Sequence, residues 1–421
     1  MNNEIPYVES LPAHWSVIQN RFLFQYYGEK VGEASAQYQL LSLTTAGVKE
    51  RDINAMGGKV PASYDNYQTV RKGQMVFCLF DLDCSAVFSG ISNYDGMITS
   101  AYDVFSSTGR MDNAYADYWF KYVFSNRYYK MFSKSIRYTI TGDMFRSLKT
   151  PVPPVDEQRR IASFLLEQET KVDALIANVQ AQIEKLKAYK QSVITEVVTK
   201  GLDPNVPMKD SGVEWIGEIA EHWKVVSLGG VTTEMRNGYV GPTRDLFFDD
   251  GIRYIQSLHT KDGFIDFDKH PYYVSEEWAN QHPKVHTGDV LIVQTGDIGQ
   301  VALVRDEFDG CNCHALIIAT PNQTLINPEY LTYYLLSYTG KELMLSFKTG
   351  ALLPHLNSGK IKSTPVCVPD LGTQSRIAEY LREKIGTADQ LIAIKQKKID
   401  KLNEYKKSLI YEYVTGKKEV S

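Results

Sequence analysis

Two stretches of this chain share one register: from Gln158 onward the residues recur from Gln374 onward at a constant offset of 216. The offset aligns Ile161-Ala162 with Ile377-Ala378, Asp173 with Asp389, Leu175-Ile176-Ala177 with Leu391-Ile392-Ala393, Lys185-Leu186 with Lys401-Leu402, Tyr189-Lys190 with Tyr405-Lys406, and Val198-Thr199 with Val414-Thr415. Chance does not hold a register that long, so the chain folds one architecture twice. Flanking markers agree. Thr150-Pro151-Val152-Pro153-Pro154 is echoed by Thr364-Pro365-Val366-Cys367-Val368-Pro369, and Leu11-Pro12-Ala13-His14-Trp15 by Ile219-Ala220-Glu221-His222-Trp223. A looser likeness links Lys72-Gly73-Gln74-Met75-Val76-Phe77 to Thr287-Gly288-Asp289-Val290-Leu291-Ile292, and Tyr94-Asp95-Gly96 to Phe308-Asp309-Gly310. The order is globular unit, helix, globular unit, helix, with divisions at 1–150, 151–201, 202–364 and 365–421.

The repeated stretches carry a heptad seam. In the first, Val172, Val179, Leu186 and Val193 alternate with Ile176, Ile183 and Val197, and Lys190 is the charged intruder. In the second, Ala388, Lys395, Leu402 and Leu409 alternate with Ile392, Ile399, Lys406 and Tyr413, and Lys406 stands where Lys190 does. Such spacing keeps one stripe of a long helix against a partner helix over many turns. Runs of roughly 35 to 45 residues at ~1.5 Å per residue reach about 50 to 65 Å, or roughly 15 to 20 base-pair steps of duplex at ~3.4 Å each. Pro151, Pro153, Pro154, Pro365 and Pro369 force extended backbone and predict linkers that close each globular unit before its helix. Asp156-Glu157 then place acid at a helix N-terminus, where the dipole favours it.

Both globular units read as mixed α+β. Short β-branched or aromatic runs (residues 74–80 and 289–294) alternate with glycine and asparagine turns, and one helix is expected near the end of each unit, around Tyr118–Phe132 and Pro328–Phe347. A polar loop follows that helix in both copies, at 134–143 and 348–357. Between Lys121 and Lys149 the bases Lys121, Arg127, Lys130, Lys134, Arg137, Arg146 and Lys149 face one local acid, Asp143, and interleave with tyrosines. Lys121, Arg127, Lys130, Lys134, Arg137, Tyr138 and Thr139 are therefore the candidate nucleic-acid contacts of the first unit. In the second unit, exposed turns bearing side chains suited to base edges supply Arg236, Asn237, Tyr239, His259, Lys261, Gln300, Lys348, His355 and Asn357.

Charge and motifs exclude much else. A formal charge of −4, with 13 basic and 21 acidic residues over 201–364, is not that of a general DNA coat, so any DNA contact is local and shared with a basic partner. Five cysteines with no CxxC pair give neither a disulfide framework nor a zinc ribbon, and Cys311-Asn312-Cys313-His314 reads as buried side chains rather than a metal site. No apolar run approaches about 18 residues and no basic-then-apolar leader opens the chain, which predicts a soluble cytoplasmic protein with no membrane partner. No GxxxxGK[ST] loop and no Asn-Pro-Pro-aromatic segment is present, and His14 and His222, each before a tryptophan, read as a duplicated packing corner.

Pro153-Pro154-Val155-Asp156-Glu157-Gln158-Arg159-Arg160-Ile161-Ala162, opening a long helix between two globular units, resembles the specificity subunit of type I restriction-modification systems, over essentially the whole chain. The second copy, Pro369 to Ala378, keeps the glutamine and Ile-Ala but has Thr373 where the glutamate stands. The resemblance implies two mixed α/β target-recognition domains separated by two long antiparallel coiled-coil helices with a pseudo-twofold internal repeat, and no catalytic site. It further implies that each domain reads one half of a bipartite site in double-stranded DNA while the helix pair sets the spacer. Two modification subunits would methylate adenine N6 with S-adenosylmethionine, and restriction subunits would use ATP and Mg. The rival readings are a single-chain methyltransferase or nuclease with the same recognition domains, and a coiled-coil scaffold that binds proteins alone.

Overall fold

The computed structural model describes residues 5–52, 63–133, 137–350 and 355–420. Its chain divides into two compact units, one built from Met1–Val179 with Lys397–Ser421 and the other from Gln180–Gln396. The division falls inside both long helices. The first helix (Val155–Lys200, 46 residues) and the second (Leu371–Val414, 44 residues) each give one part to each unit. At ~1.5 Å per residue they are about 69 and 66 Å long.

The heptad seam faces inward. Val172, Val179, Ile183, Ile399 and Leu409 are buried, and Ile176, Leu186, Val193, Ile392 and Leu402 are half-buried. Two of the three seam lysines, Lys190 and Lys406, are paired with acids across it. In the first unit Lys406 Nζ lies 2.7 Å from Asp173 Oδ1, and in the second Lys190 makes the same contact with Asp389. These four residues are repeat equivalents at the offset of 216 with helices exchanged.

Of the prolines expected as linkers, Pro151 and Pro365 lie in strands, and Pro153, Pro154 and Pro369 lie in the two-residue joins between strand and helix. Lys149–Val152 pairs antiparallel with Ser16–Gln19, setting Pro151 opposite Val17, and Pro365–Val368 pairs with Lys224–Ser227. A two-stranded ladder has an open edge on each side, where a missing N–H leaves no bond unmade. Each helix thus starts two residues after a strand welded into its unit. The glutamines of the repeated motif complete the weld. Gln158 is fully buried, accepts from the Asp112 N–H (2.7 Å) and donates to the carbonyls of Arg110 (3.1 Å) and Pro153 (2.8 Å). Gln374 repeats this with the Asn327 N–H (2.7 Å) and the carbonyls of Leu325 (3.0 Å) and Pro369 (2.8 Å).

The divergent residue beside that glutamine is compensated differently in each copy. Glu157 turns back to the aromatic corner, accepting from Trp15 Nε1 at 3.0 Å and lying 2.9 Å from His14 Nε2. Where Thr373 replaces it, Trp223 Nε1 donates to its own neighbour His222 at 3.1 Å. The second helix instead gains a side-chain cap: Asp370 accepts from the Thr373 N–H (2.9 Å) and hydroxyl (2.6 Å), bonds that hold its carboxyl below the usual range.

Each unit is centred on a four-stranded antiparallel sheet of equivalent order. In the first the order is Phe24–Tyr26, Asp103–Ser107, Met75–Phe77, Ser89–Ile91. In the second it is Thr232–Asn237, Leu316–Pro321, Val290–Val293, Val301–Leu303. The loose sequence likeness has a physical root here. The N–H of Lys72 donates to Asp95 (2.7 Å) as that of Thr287 does to Asp309 (2.9 Å), beside Gly73 and Gly288, whose φ values of +88° and +92° favour glycine. The cores differ in chemistry. Phe77 packs against Phe120 and Phe145 at ring distances of 4.9 and 4.7 Å, whereas Val290, Ile292, Ile317, Leu331 and Leu335 fill the second unit.

The expected late helices are shorter than their sequence ranges. The first spans Asn113–Ser125 and gives way to a turn at Tyr128–Met131. The second breaks at Ser337 into Pro328–Leu336 and Tyr338–Leu345. Ser337 ends one piece and caps the next through the Gly340 N–H (2.9 Å), and a Cβ on Gly340 would lie 2.0 Å from the Tyr334 carbonyl oxygen.

Replacing Gln158 or Gln374 with leucine orphans three backbone groups, each worth about 1–3 kcal/mol when buried and unpaired. Urea denaturation is expected to show a loss of at least ~2 kcal/mol for either variant, against a change within ~0.5 kcal/mol for Lys171→Ala on an exposed helix face.

Candidate nucleic-acid interface

One end of each sheet gathers the loops that the sequence singled out. In the first unit this rim holds the loop from Cys78 to Phe88 and the segment 137–140, stapled together where the Ile140 N–H donates to the Leu79 carbonyl (2.7 Å). In the second unit the equivalent bond runs from the Leu356 N–H to the Gln294 carbonyl (2.9 Å). Behind each staple a short helix starts from a side-chain cap, Thr141 in one copy and Asn357 in the other.

The rims also concentrate backbone strain. Among the described residues, the five non-glycine positions with positive φ are Asp81, Arg127, Tyr138, Asp262 and Ala315. Three belong to the first rim with its neighbouring turn and two to the second. Left-handed backbone at such residues costs about 1–2 kcal/mol each, and strain of this kind collects at functional surfaces.

The basic patch of the first unit is not an unbalanced one. Asp83 lies 2.9 Å from Lys130 and 3.4 Å from Arg127, and Asp81 lies 3.7 Å from Arg137. The hydrogen bond from Lys130 is the main cause holding the Asp83 carboxyl below its usual range, helped by one from Tyr129 and against the pull of burial. Lys130 also sits 4.4 Å from the Tyr138 ring centroid, and Thr139 accepts from the Asp81 N–H at 3.5 Å. Arg127, Lys130, Arg137, Tyr138 and Thr139 are thus brought together, around an acidic loop more than 40 residues away in sequence. Lys121 is elsewhere. It pairs with Asp117 (3.0 Å) in a cleft of about 1050 Å³ between the recognition domain and the helix segments of the same unit. Burial opposes its charge, but Asp117, Glu169 and Asp173 together raise its pKa. Lys134 lies outside the described residues.

In the second unit Lys261 lies beside Gln300 and His355 bridges to Thr295, while Asn237 and Tyr239 leave the strand at the opposite edge of the sheet. The Gly238 N–H donates to the Leu316 carbonyl and the Tyr239 N–H to that of Cys313, both at 2.9 Å. Gly238 is required there, because a Cβ would meet Cys313 Sγ at 2.4 Å. The Tyr239 ring stands edge-on to Trp278 and His282, each at 4.9 Å. Gln300 accepts from the Asp262 N–H (3.4 Å) next to exposed Lys261, and exposed His355 bridges to Thr349 (3.1 Å). Lys348 is exposed one residue before that bridge.

Three candidates have structural duties. Arg236 is spent on Glu234 (2.8 Å), Thr320 (3.2 Å) and the Lys284 carbonyl (2.7 Å). Asn357 is mainly a cap, accepting from Gly359 and Lys360 N–H groups (2.9 and 3.2 Å). His259 is a correction to the sequence reading. It is fully buried, its Nδ1 accepts from the Gln256 N–H (2.9 Å) and its Nε2 donates to the His270 carbonyl (2.7 Å), leaving no ring nitrogen for a ligand. Its turn looked exposed because the apolar partner, Phe267, comes later in the chain. Cys311 and Cys313 are buried, with burial pushing their thiols up to about 11 and about 12. Among the described residues no three His, Cys, Asp or Glu side chains are grouped to hold a metal ion, and no helix is long and apolar enough to cross a membrane.

Comparison with known proteins matches residues 220–404 to the type I restriction modification DNA specificity domain. The chain is 25 % identical over 285 residues to the MjaVIII specificity subunit of Methanocaldococcus jannaschii, covering 65 % of this chain and 63 % of that protein. It is 24 % identical over 275 residues to the EcoBI specificity subunit of Escherichia coli, covering 63 % and 57 %. The chain is similar to type I restriction-modification specificity subunits. It spans less than two thirds of the length of those two relatives. The fold is shared more widely. A solved chain described for complex assembly and conformational transition of a type I R-M system superposes with a TM-score of 0.70 at 16 % identity, covering 97 % of this chain and 99 % of that one. The HsdS subunit from Thermoanaerobacter tengcongensis gives 0.50 at 15 % identity, covering 98 % of each.

Burial depresses the pKa of His259, and also that of His314. Both are favoured neutral by the fold, so an unfolded chain takes up protons first as pH falls through about 6.5. Stability is therefore complete above that pH and declines below it. Urea midpoints are expected to drop between pH 7.5 and 5.5, with a shallower drop in His259→Asn.

Proposed function

We propose that this chain is the non-catalytic, DNA-reading subunit of a type I restriction-modification complex, in which each rim reads one half of a bipartite site in double-stranded DNA. The observation that carries this is the duplicated rim: the same loops, stapled by the same hydrogen bond and holding the strained residues, occur once per unit. Exposed ion pairs are worth about 0–1 kcal/mol, so Arg127 and Arg137 can leave Asp83 and Asp81 for phosphates at little cost. Phosphate contacts position the duplex, and Asn237, Gln300 and the rim tyrosines supply groups suited to base edges. The two helices, each running through both units, set the spacing between half-sites.

Modification subunits would supply the rest of the DNA clamp and the methyl transfer to adenine N6 from S-adenosylmethionine, and restriction subunits would supply ATP- and Mg-dependent steps. A stoichiometry of two modification subunits fits the duplication. Leu175 and Leu391 are 48 % and 43 % exposed, and Tyr189 and Tyr405 are 49 % exposed each, giving matched apolar side chains on both halves of the helix pair. The cytoplasm is the expected location.

Purified chain with labelled S-adenosylmethionine and DNA is expected to transfer no methyl group until modification subunits are added; transfer by the chain alone would favour a single-chain methyltransferase. Exchanging residues 1–150 for those of a relative is expected to change one half-site in the mapped methylation pattern and leave the other intact. Tyr189→Asp with Tyr405→Asp is expected to weaken modification-subunit binding by at least tenfold in calorimetry.

A further inference from the structure

We propose that His314 is a specificity-determining residue of the second unit, a hydrogen-bond donor of fixed tautomer that reads an acceptor on a base edge in the major groove, with Tyr254 as the positioning residue that fixes it. This rests on the reading above that the second rim reads DNA. The turn carrying His314 runs into Leu316, which pairs with Val293, and the rim staple is made by the next residue, Gln294. The backbone of that turn is held on two sides. The His314 N–H donates to the Ile255 carbonyl (2.8 Å), and the Ala315 N–H donates to the Tyr239 carbonyl (2.9 Å). Ala315, left-handed at φ +47°, is the strained joint that these bonds hold in place.

The tautomer follows from the hydrogen-bond network. Tyr254 is fully buried, and burial keeps its hydroxyl protonated. Among the described residues that hydroxyl meets one partner, His314 Nδ1, at 3.2 Å. A buried hydroxyl proton has to be donated, so Nδ1 accepts. Burial also favours the neutral form of His314, and a neutral imidazole that accepts through Nδ1 carries its proton on Nε2. That Nε2 has no acceptor among the described residues and is not sealed from solvent, so it is open to a ligand. His259 is the contrast, buried with both ring nitrogens bonded inside the protein. The open donor stands beside the Tyr239 ring, the two centroids 6.4 Å apart. In the major groove a donor is satisfied by guanine O6 or N7, adenine N7 or thymine O4, whereas cytosine opposes it with the donor of its N4 amino group. His314 therefore excludes cytosine from one position of the second half-site.

Two readouts test this. Long-range nitrogen–proton correlation spectra of the full chain report which ring nitrogen of each histidine carries the proton. The His314 signal, assigned by its loss in His314→Gln, is expected to be that of the Nε2–H form in the parent and of both tautomers in Tyr254→Phe. The second readout is methylation, by the complex with modification subunits, of a DNA library randomised over the second half-site. The parent is expected to disfavour cytosine at one position by at least about fivefold. His314→Gln, whose amide can donate or accept, and Tyr254→Phe are each expected to remove that bias while leaving every other position of both half-sites unchanged. His314→Gln decides alone if the buried Tyr254→Phe fails to fold. A parent His314 protonated on Nδ1 would overturn the proposal, as would selective methylation whose base preferences survive His314→Gln. Absence of selective methylation in the parent would remove the reading of the rim, and the base contact with it, while the spectra still decide the tautomer.

Discussion

Two buried tyrosine hydroxyls hold this architecture together. Tyr115 donates between the Pro151 carbonyl (3.4 Å), in the strand that launches the first helix, and the Val414 carbonyl (3.2 Å), at the end of the second. Tyr330 does the same with Cys367 (2.8 Å) and Val198 (3.2 Å), the helices exchanged. Burial forces each hydroxyl to stay protonated and bonded, so each recognition domain is fixed at once to the beginning of one helix and the finish of the other. Everything distal, from seam pairing to rim orientation, is referred to those two points.

Duplication preserved geometry while the chemistry around it drifted. The sheet order, the staples, the buried glutamines and the Asp95 and Asp309 turns are common to both copies. The core is phenylalanine-rich in one copy and aliphatic in the other, and where the second has no glutamate His222 and Asp370 take over its bonds. What was kept is backbone satisfaction, where an unmade bond is costly; what varied is side-chain packing, where volume can be redistributed.

The long-range plan was legible because its signals are periodic. The offset of 216 and the heptad stripe locate the helices and the matched lysines without any knowledge of contacts. The rims were half legible: the polar loops stood out by composition, but the partners of their charges did not. Asp81 and Asp83 lie outside the window in which the bases were counted, and His259 is covered by a ring from a later turn. Proline misled in a different way. Its missing N–H suggested linkers, and only the pairing of Pro151 with Val17 shows that an open ladder edge tolerates it.

The way the units cut both helices also orders events as the polypeptide emerges. The second unit is one continuous stretch, 180–396, and its tyrosine reaches a partner 132 residues back. The first unit needs residues beyond 397, and its tyrosine must find a carbonyl 299 residues ahead. Closing so long a loop is slow relative to local assembly. The half that is translated first is therefore the last to be completed, and until then its half-helix and the Tyr115 hydroxyl wait for a partner that has yet to be synthesised.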